Sequence, residues 1–235
     1  MKCCELALQI GNDKGFGEAL AVLHQSCKDA GGKDDLTKGA ELLEIYALKC
    51  RMAISKQSDS RVYQDLYEKT KNLTAAVTDP KTMSVIKECW GLMFGYQGDW
   101  TRAYTEFFTA FDAYQEIPIR DKAKQCIKYM VIANMLGGGA HNPFDARETQ
   151  VYAQEPEVMV IGQLREAHER HDIIGFNQAL EAILKAEDVF INKNLHGMIR
   201  DFQAKTMLSL VKPYSRVHII SLAKVGFLRV SKCGC

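Results

Sequence analysis

The chain has 235 residues, of which 47% are apolar and 25% charged; this balance excludes an intrinsically disordered protein and suits one extended domain or two compact ones. A net charge of +1 predicts no general attraction to nucleic acid or to a membrane surface. The charge is unevenly placed: residues 137–190 carry ten acidic and four basic side chains, residues 191–235 eight basic and one acidic, so these segments are expected to pair or to face partners of opposite sign.

In chain order, Met1-Lys2-Cys3-Cys4-Glu5 lacks the apolar run of a signal peptide. Gly11, Gly15 and Gly17 follow no strand pattern and are expected to turn one helix into the next. Ala40, Leu43, Ala47, Cys50 and Ile54 then recur at steps of three and four, as one face of a helix does. Further stripes are Ile86–Cys89–Met93–Tyr96, Trp100–Ala103–Phe107–Ala110–Tyr114, Ala123–Cys126–Met130–Ala133 and Ile173–Phe176–Leu180–Ile183. No convincing strand alternation interrupts them. Pro80, Pro118, Pro143, Pro156 and Pro213 fall between stripes or at their starts, and Asp79-Pro80 offers a cap followed by proline at the first helical position. Short connections force neighbours antiparallel, so the elements are expected to stack as helical hairpins. An aromatic residue opens a helix at Phe16, Trp100 and Phe176, spacings near two repeats of about 40 residues, the period of helix-pair solenoids. The clearest hairpin runs from Cys89-Trp90-Gly91 to Tyr114, turned by Gly98 and Asp99, and is tetratricopeptide-like without the full consensus.

Motifs that carry chemistry are few. Gly137-Gly138-Gly139 follows a helix and leads into Ala140-His141-Asn142, whereas a phosphate loop needs a strand before it and Lys-Ser/Thr after it; a helix-ending loop fits better. His168-Glu169-Arg170-His171 is one residue short of the HExxH of zinc proteases and reads as a surface helix. Eight cysteines (Cys3, Cys4, Cys27, Cys50, Cys89, Cys126, Cys233, Cys235) form no CxxC pair and read as reduced thiols of a cytosolic or nuclear protein. No local signature of a serine or cysteine hydrolase is present. Catalytic, cofactor-binding and metal-ligating residues are therefore all expected to be none, and no apolar stretch of about 18 residues predicts a membrane span.

Several stretches together resemble one family. They are His24-Gln25-Ser26-Cys27, Lys33-Asp34-Asp35-Leu36, Leu42-Leu43-Glu44-Ile45-Tyr46-Ala47-Leu48, Phe107-Phe108 with Ala110-Phe111, and Lys128-Tyr129-Met130-Val131-Ile132-Ala133-Asn134-Met135-Leu136. The loop Asn142-Pro143-Phe144-Asp145 and Lys212-Pro213-Tyr214-Ser215-Arg216-Val217-His218-Ile219 complete the set. Their order is similar to that of the second-subunit family of the COP9 signalosome, over roughly residues 16–220. A related proteasome lid subunit shares the Phe-Phe helix but lacks the Asn-Pro-Phe-Asp loop and the Leu-Leu-Glu-Ile-Tyr-Ala-Leu run.

The resemblance implies an all-α fold: a right-handed helical-repeat solenoid of antiparallel helix pairs over residues 1–136, the helical part of a PCI module over 137–219, and an atypical tail over 220–235. The tail does not fit the family's winged helix, which is expected to be missing or incomplete, and the family's helical arm begins earlier than Met1. A helix end left uncapped is expected to be sticky near Leu208 and Val211. The resemblance further implies a non-catalytic scaffold in the complex that removes Nedd8 from cullins of cullin–RING ubiquitin ligases, with the zinc chemistry in another subunit. Its implied partners are the other signalosome subunits and cullin–RING ligases, without membrane, nucleic acid or cofactor, in cytoplasm and nucleus. The alternatives are a proteasome lid scaffold and a nucleic-acid-binding PCI adaptor, the latter marked by steep salt sensitivity.

Overall fold

The computed structural model describes residues 13–29, 31–32, 34–56, 60–71, 73, 79–117, 119–139, 141–185 and 188–212. Among them the regular structure is helical, with one isolated antiparallel bridge between Lys28 and Asp34. The chain divides into two compact units, Met1–Gly139 and Ala140–Cys235. Cys3, Cys4, Gly11, Pro118, Cys233, Cys235, the motif from Pro213 to Ile219 and the tail from Ile220 to Cys235 lie outside the described residues.

The first unit holds α1 (Asp13–Ser26), α2 (Gly39–Ser55), α3 (Ser60–Thr70), α4 (Pro80–Gln97), α5 (Trp100–Glu116) and α6 (Arg120–Leu136). Each packs on the next, and α4 also packs on α2, so the helices form a stack of pairs. The sequence stripes lie largely inside: Leu43, Cys50, Ile86, Cys89, Ala103, Phe107, Ala110, Ala123, Cys126, Met130 and Ala133 are fully buried, whereas Ile54, Tyr96 and Trp100 are half-buried and Ala40 is exposed. Two corrections follow. Gly15 and Gly17 sit within α1 rather than turning the chain before it, because the backbone hydrogen bonds of this helix run through them. The apolar faces of α2 and α4 are also wider than single stripes: Leu42, Ile45 and Tyr46 are buried on α2, and every residue from Glu88 to Gly95 is buried on α4. A helix covered by α2, α3 and α5 together has little surface left to be polar, which is why its pattern reads as nearly continuous.

The second unit holds a 3₁₀ turn at Pro143–Asp145, α7 (Arg147–Gln150), α8 (Pro156–Arg170), α9 (Ile173–Leu184) and α10 (Val189–Val211). The α8–α9 hairpin buries Val158, Ile161, Leu164, Ala167, Phe176, Ala179, Leu180 and Ile183. Phe202 of α10 stacks on Phe176 at 3.9 Å between ring centroids. Leu208 on α10 is 66% exposed, whereas Val211 is half-buried.

The hairpins share one joint. α4 ends at Gly98, left-handed at φ 80°, where Gly98 N–H donates to Gly95 O and Asp99 N–H to Phe94 O. This pair of bonds closes a helix C-terminus, and glycine adopts the positive φ without a Cβ clash. Asp99 then caps α5 by accepting from Arg102 N. α8 and α9 repeat the arrangement: His171 is left-handed at φ 55°, Asp172 N–H donates to Ala167 O, and the Asp172 carboxylate accepts from Ile174 N and Gly175 N. One left-handed residue followed by a capping aspartate thus reverses the chain in two residues in both units.

Candidate functional site

Polar side chains gather at three places, each of which ties helices together. The first joins α1, the loop after it and α2. His24 Nε2 lies 2.8 Å from Asp34 Oδ1, and the Tyr46 hydroxyl donates to Asp34 Oδ2. Lys49 Nζ lies 3.0 Å from His24 Nδ1 and 4.9 Å from the centre of the Tyr46 ring, a cation–π distance. An ammonium only donates, so Nδ1 of His24 accepts, and Nε2–H must donate to Asp34. Burial, followed by the Lys49 charge, holds the His24 imidazole below its ordinary value of 6.5. Burial acts to raise the Asp34 carboxyl, but the hydrogen bonds from Tyr46 and His24 outweigh it and hold it below the usual carboxylate range. Burial and the Asp34 bond push the Tyr46 phenol up, and burial pulls the Lys49 amine down. The loop is fixed further by Asp35 N–H to Cys27 O at 3.0 Å, Lys38 Nζ to Ser26 O at 2.9 Å and the Asp35 cap on Thr37 N. Three of the quoted stretches, around His24, Asp34 and Tyr46, therefore meet at one carboxylate. Lys49 lies just beyond them and carries no sequence signal of its own.

The second lies between α4, α5 and α6. Glu88 is 1% exposed. Its carboxylate accepts from Tyr114 Oη at 2.7 Å and from Lys122 Nζ at 3.0 Å, and Lys122 also reaches Gln125 Oε1 at 3.0 Å. Gln125 continues to Tyr129 Oη at 2.6 Å. Burial and then the Glu88 charge push the Tyr114 phenol far up, so it serves as a neutral donor. Beside it, Trp90 Nε1 donates to Thr70 Oγ1 at 2.9 Å, joining α3 to α4, and Lys87 bridges Glu106 at 2.8 Å while standing 4.2 Å over the Trp90 ring. Phe107 and Tyr129, from two more of the quoted stretches, face each other at 5.2 Å.

The third is the Asn-Pro-Phe-Asp loop. Asn142 Oδ1 accepts from Phe144 N at 3.1 Å, and Thr149 Oγ1 donates to Pro143 O at 2.7 Å. Arg165 on α8 is buried, pairs with Glu169 at 2.7 Å and donates to His141 O at 3.3 Å. Phe144 lies against Gly162, where an added Cβ would come within 3.6 Å of its ring. The loop is a folded turn held from both sides.

The other sequence motifs have structural settings. Gly137-Gly138-Gly139 closes α6: Gly138 is left-handed at φ 66°, and Gly139 N–H donates to Asn134 O at 2.9 Å. A Cβ on Gly139 would fall 2.3 Å from the Asn134 amide, so this cap is tightly fitted. His168 packs its ring 5.6 Å from Phe202 and 6.4 Å from Phe176, whereas His171 lies in the joint with Nδ1 3.4 Å from Thr206 Oγ1. Among the described residues no group of three His, Cys, Asp or Glu is placed to hold a metal ion, and no helix is long and apolar enough to cross a membrane. Cys27, Cys50, Cys89 and Cys126 are free, buried thiols. The hydrogen bond with Cys50, then burial, pushes the Cys89 thiol up; burial does the same at Cys126.

Stacked helical hairpins, stitched by buried polar side chains that run from helix to helix, define an all-α helical-repeat protein. COP9 signalosome complex subunit 2 of Dictyostelium discoideum is 33% identical over 226 residues, 95% of this chain and 50% of that protein. The Drosophila melanogaster protein of the same name is 35% identical over 210 residues, 87% of this chain and 46% of its own length. A probable 26S proteasome regulatory subunit of Caenorhabditis briggsae is more distant, 21% identical over 190 residues, 78% of this chain. No model of a protein family matches the chain. The chain spans about half the length of the curated relatives it matches. Over that half, it belongs to the COP9 signalosome complex subunit 2 family.

Proposed function

We propose that this chain is a non-catalytic scaffold that lends a helical surface to a signalosome. In this reading residues 1–136 form the helical-repeat arm and 137–219 the helical part of a PCI module. Its partners are the other signalosome subunits and, through them or directly, cullin–RING ligases; it works in cytoplasm and nucleus, and removal of Nedd8 is the task of the assembly. The observation that carries the reading is the match over 95% of the chain to a protein named as a signalosome subunit. The three part-buried polar clusters support it, because each orients side chains toward neighbouring elements and so serves rigidity. Within the first unit, a stack of hairpins also offers an exposed face of the kind by which helical repeats grip a partner.

The test is affinity capture of the full chain from its own cell extract, followed by mass spectrometry. Signalosome subunits or cullins are expected to co-purify. Recovery of proteasome lid subunits in their place would move the protein to its more distant relatives. Recovery of neither, with folded bait, would sink the scaffold reading for this chain.

A further inference from the structure

We propose that α1 is an acid-releasable helix: protonation of His24 breaks the Lys49–His24–Asp34 chain and undocks α1, with the loop that bears Asp34, from α2. The inference stands on the geometry of this cluster and is independent of the partners proposed above. The His24 ring stands between an ammonium 3.0 Å from one nitrogen and a carboxylate oxygen 2.8 Å from the other. Only the neutral tautomer with its proton on Nε2 satisfies both. A proton added to Nδ1 points at Lys49, so that hydrogen bond becomes a repulsion. The bond to Asp34 is kept and becomes an ion pair, which offsets part of that repulsion.

The groups that face this ring come from each packed element. α2 contributes Lys49 and Tyr46, and the loop contributes Asp34 and Lys28. Asp65 and Lys69 of α3 act on Tyr46 and Lys49 in turn. Lys49 and Lys28 oppose a second proton on the ring and only Asp34 favours it, in keeping with an imidazole held below 6.5. A group depressed in the docked state stabilises docking fully above its free value. That stability begins to be lost as pH falls below the free value of 6.5 and is gone below the docked value, so release belongs to the acid side of 6.5.

Beyond this cluster, Ser26 O at the end of α1 accepts from Lys38 Nζ, and Cys27 O just after it from Asp35 N. Leu20 is the one buried side chain among those described on this helix, and Val22 is 71% exposed. The polar chain from Lys49 to Asp34 works alongside Leu20 and the half-buried Ala19 and Leu23 among the described side chains that dock α1. Release would uncover Leu20, Cys27 and Tyr46.

Hydrogen exchange on the full chain at pH 7.5 and 5.5, corrected for intrinsic rates, tests this. Peptides covering residues 13–26 should lose protection on acidification, by up to roughly tenfold for each pH unit of depression at His24, while α4 to α6 do not change. His24→Gln keeps a donor toward Asp34 but cannot titrate, and its α1 protection should be flat between the two pH values. If that variant is already undocked at pH 7.5, Lys49→Met replaces it: with the opposing charge gone, the pH dependence should shrink. Protection of α1 that does not respond to pH in the wild type overturns the proposal. So does the same acid loss in His24→Gln, or a His24 imidazole that titrates at or above 6.5 by NMR.

Discussion

At Gly91 two helices come closer than a methyl group allows. A Cβ there would lie 2.5 Å from the ring of Phe107, which is itself fully buried. Alanine is the better helix former, by about 1 kcal/mol, yet displacing Phe107 costs about 1–3 kcal/mol in a packed core. Gly91→Ala should therefore lower stability on balance, as a shift in the denaturant midpoint would show. Glu88 and Lys122 make a second residue-scale case. Glu88→Gln keeps one acceptor oxygen, enough for Lys122, and turns an NH2 toward the Tyr114 hydroxyl, which can accept from it; the change should cost about 1–2 kcal/mol. Lys122→Met leaves a 1% exposed carboxylate with Tyr114 as its remaining hydrogen-bond donor, and should cost more, about 3 kcal/mol. Equal losses in chemical denaturation would refute that account. Neither case is readable along the chain: Gly91 and Phe107 are 16 residues apart, and Glu88 and Lys122 are 34 apart. Sequence spacing reveals which face of a helix is apolar but not which partner residue it meets. The Asp34 cluster is the intermediate case, since three of its members lie in quoted stretches and only their meeting is new.

The two-residue joint is the unit that repeats at the scale of elements. Its cap is replaceable by measurement: Asp99→Ala and Asp172→Ala should each cost about 1 kcal/mol, the usual loss when a capping side chain is removed. The left-handed residue gives an opposite pair. Gly98→Ala places a Cβ at φ 80° and should destabilise, while His171→Gly removes one at φ 55°. Relief of a left-handed Cβ is worth about 1–2 kcal/mol, and the contact of His171 with Thr206 at 3.4 Å is too long to offset it fully. Thermal melts of the two variants should move in opposite directions. Gly98-Asp99 was legible as a turn because glycine announces it. His171-Asp172 was not, because histidine rarely takes this conformation and the local pattern drew attention to metal chemistry instead. α3 lies outside the stripes as well: its apolar side is short, resting on Tyr63 and Leu66 in a mostly polar helix of 11 residues.

For the molecule as a whole, the all-helical class was evident from the stripes and the placing of proline, while the division at Gly139 and Ala140 follows from packing that no single stripe expresses. The chain that closes the first unit is the triglycine cap, and its tight fit against Asn134 predicts that Gly139→Ala disturbs the end of α6 rather than merely stiffening a linker. Faster amide exchange at the last turn of α6 would register this. The sealed cysteines have a further consequence. Cys27 follows α1, and Cys50, Cys89 and Cys126 belong to α2, α4 and α6, each buried and unoxidised. They form a set of internal clocks distributed through the first unit. A thiol-alkylating reagent added to the native protein should find each one only as fast as its own helix opens, and peptide mapping would read four separate opening rates from a single unmodified sample.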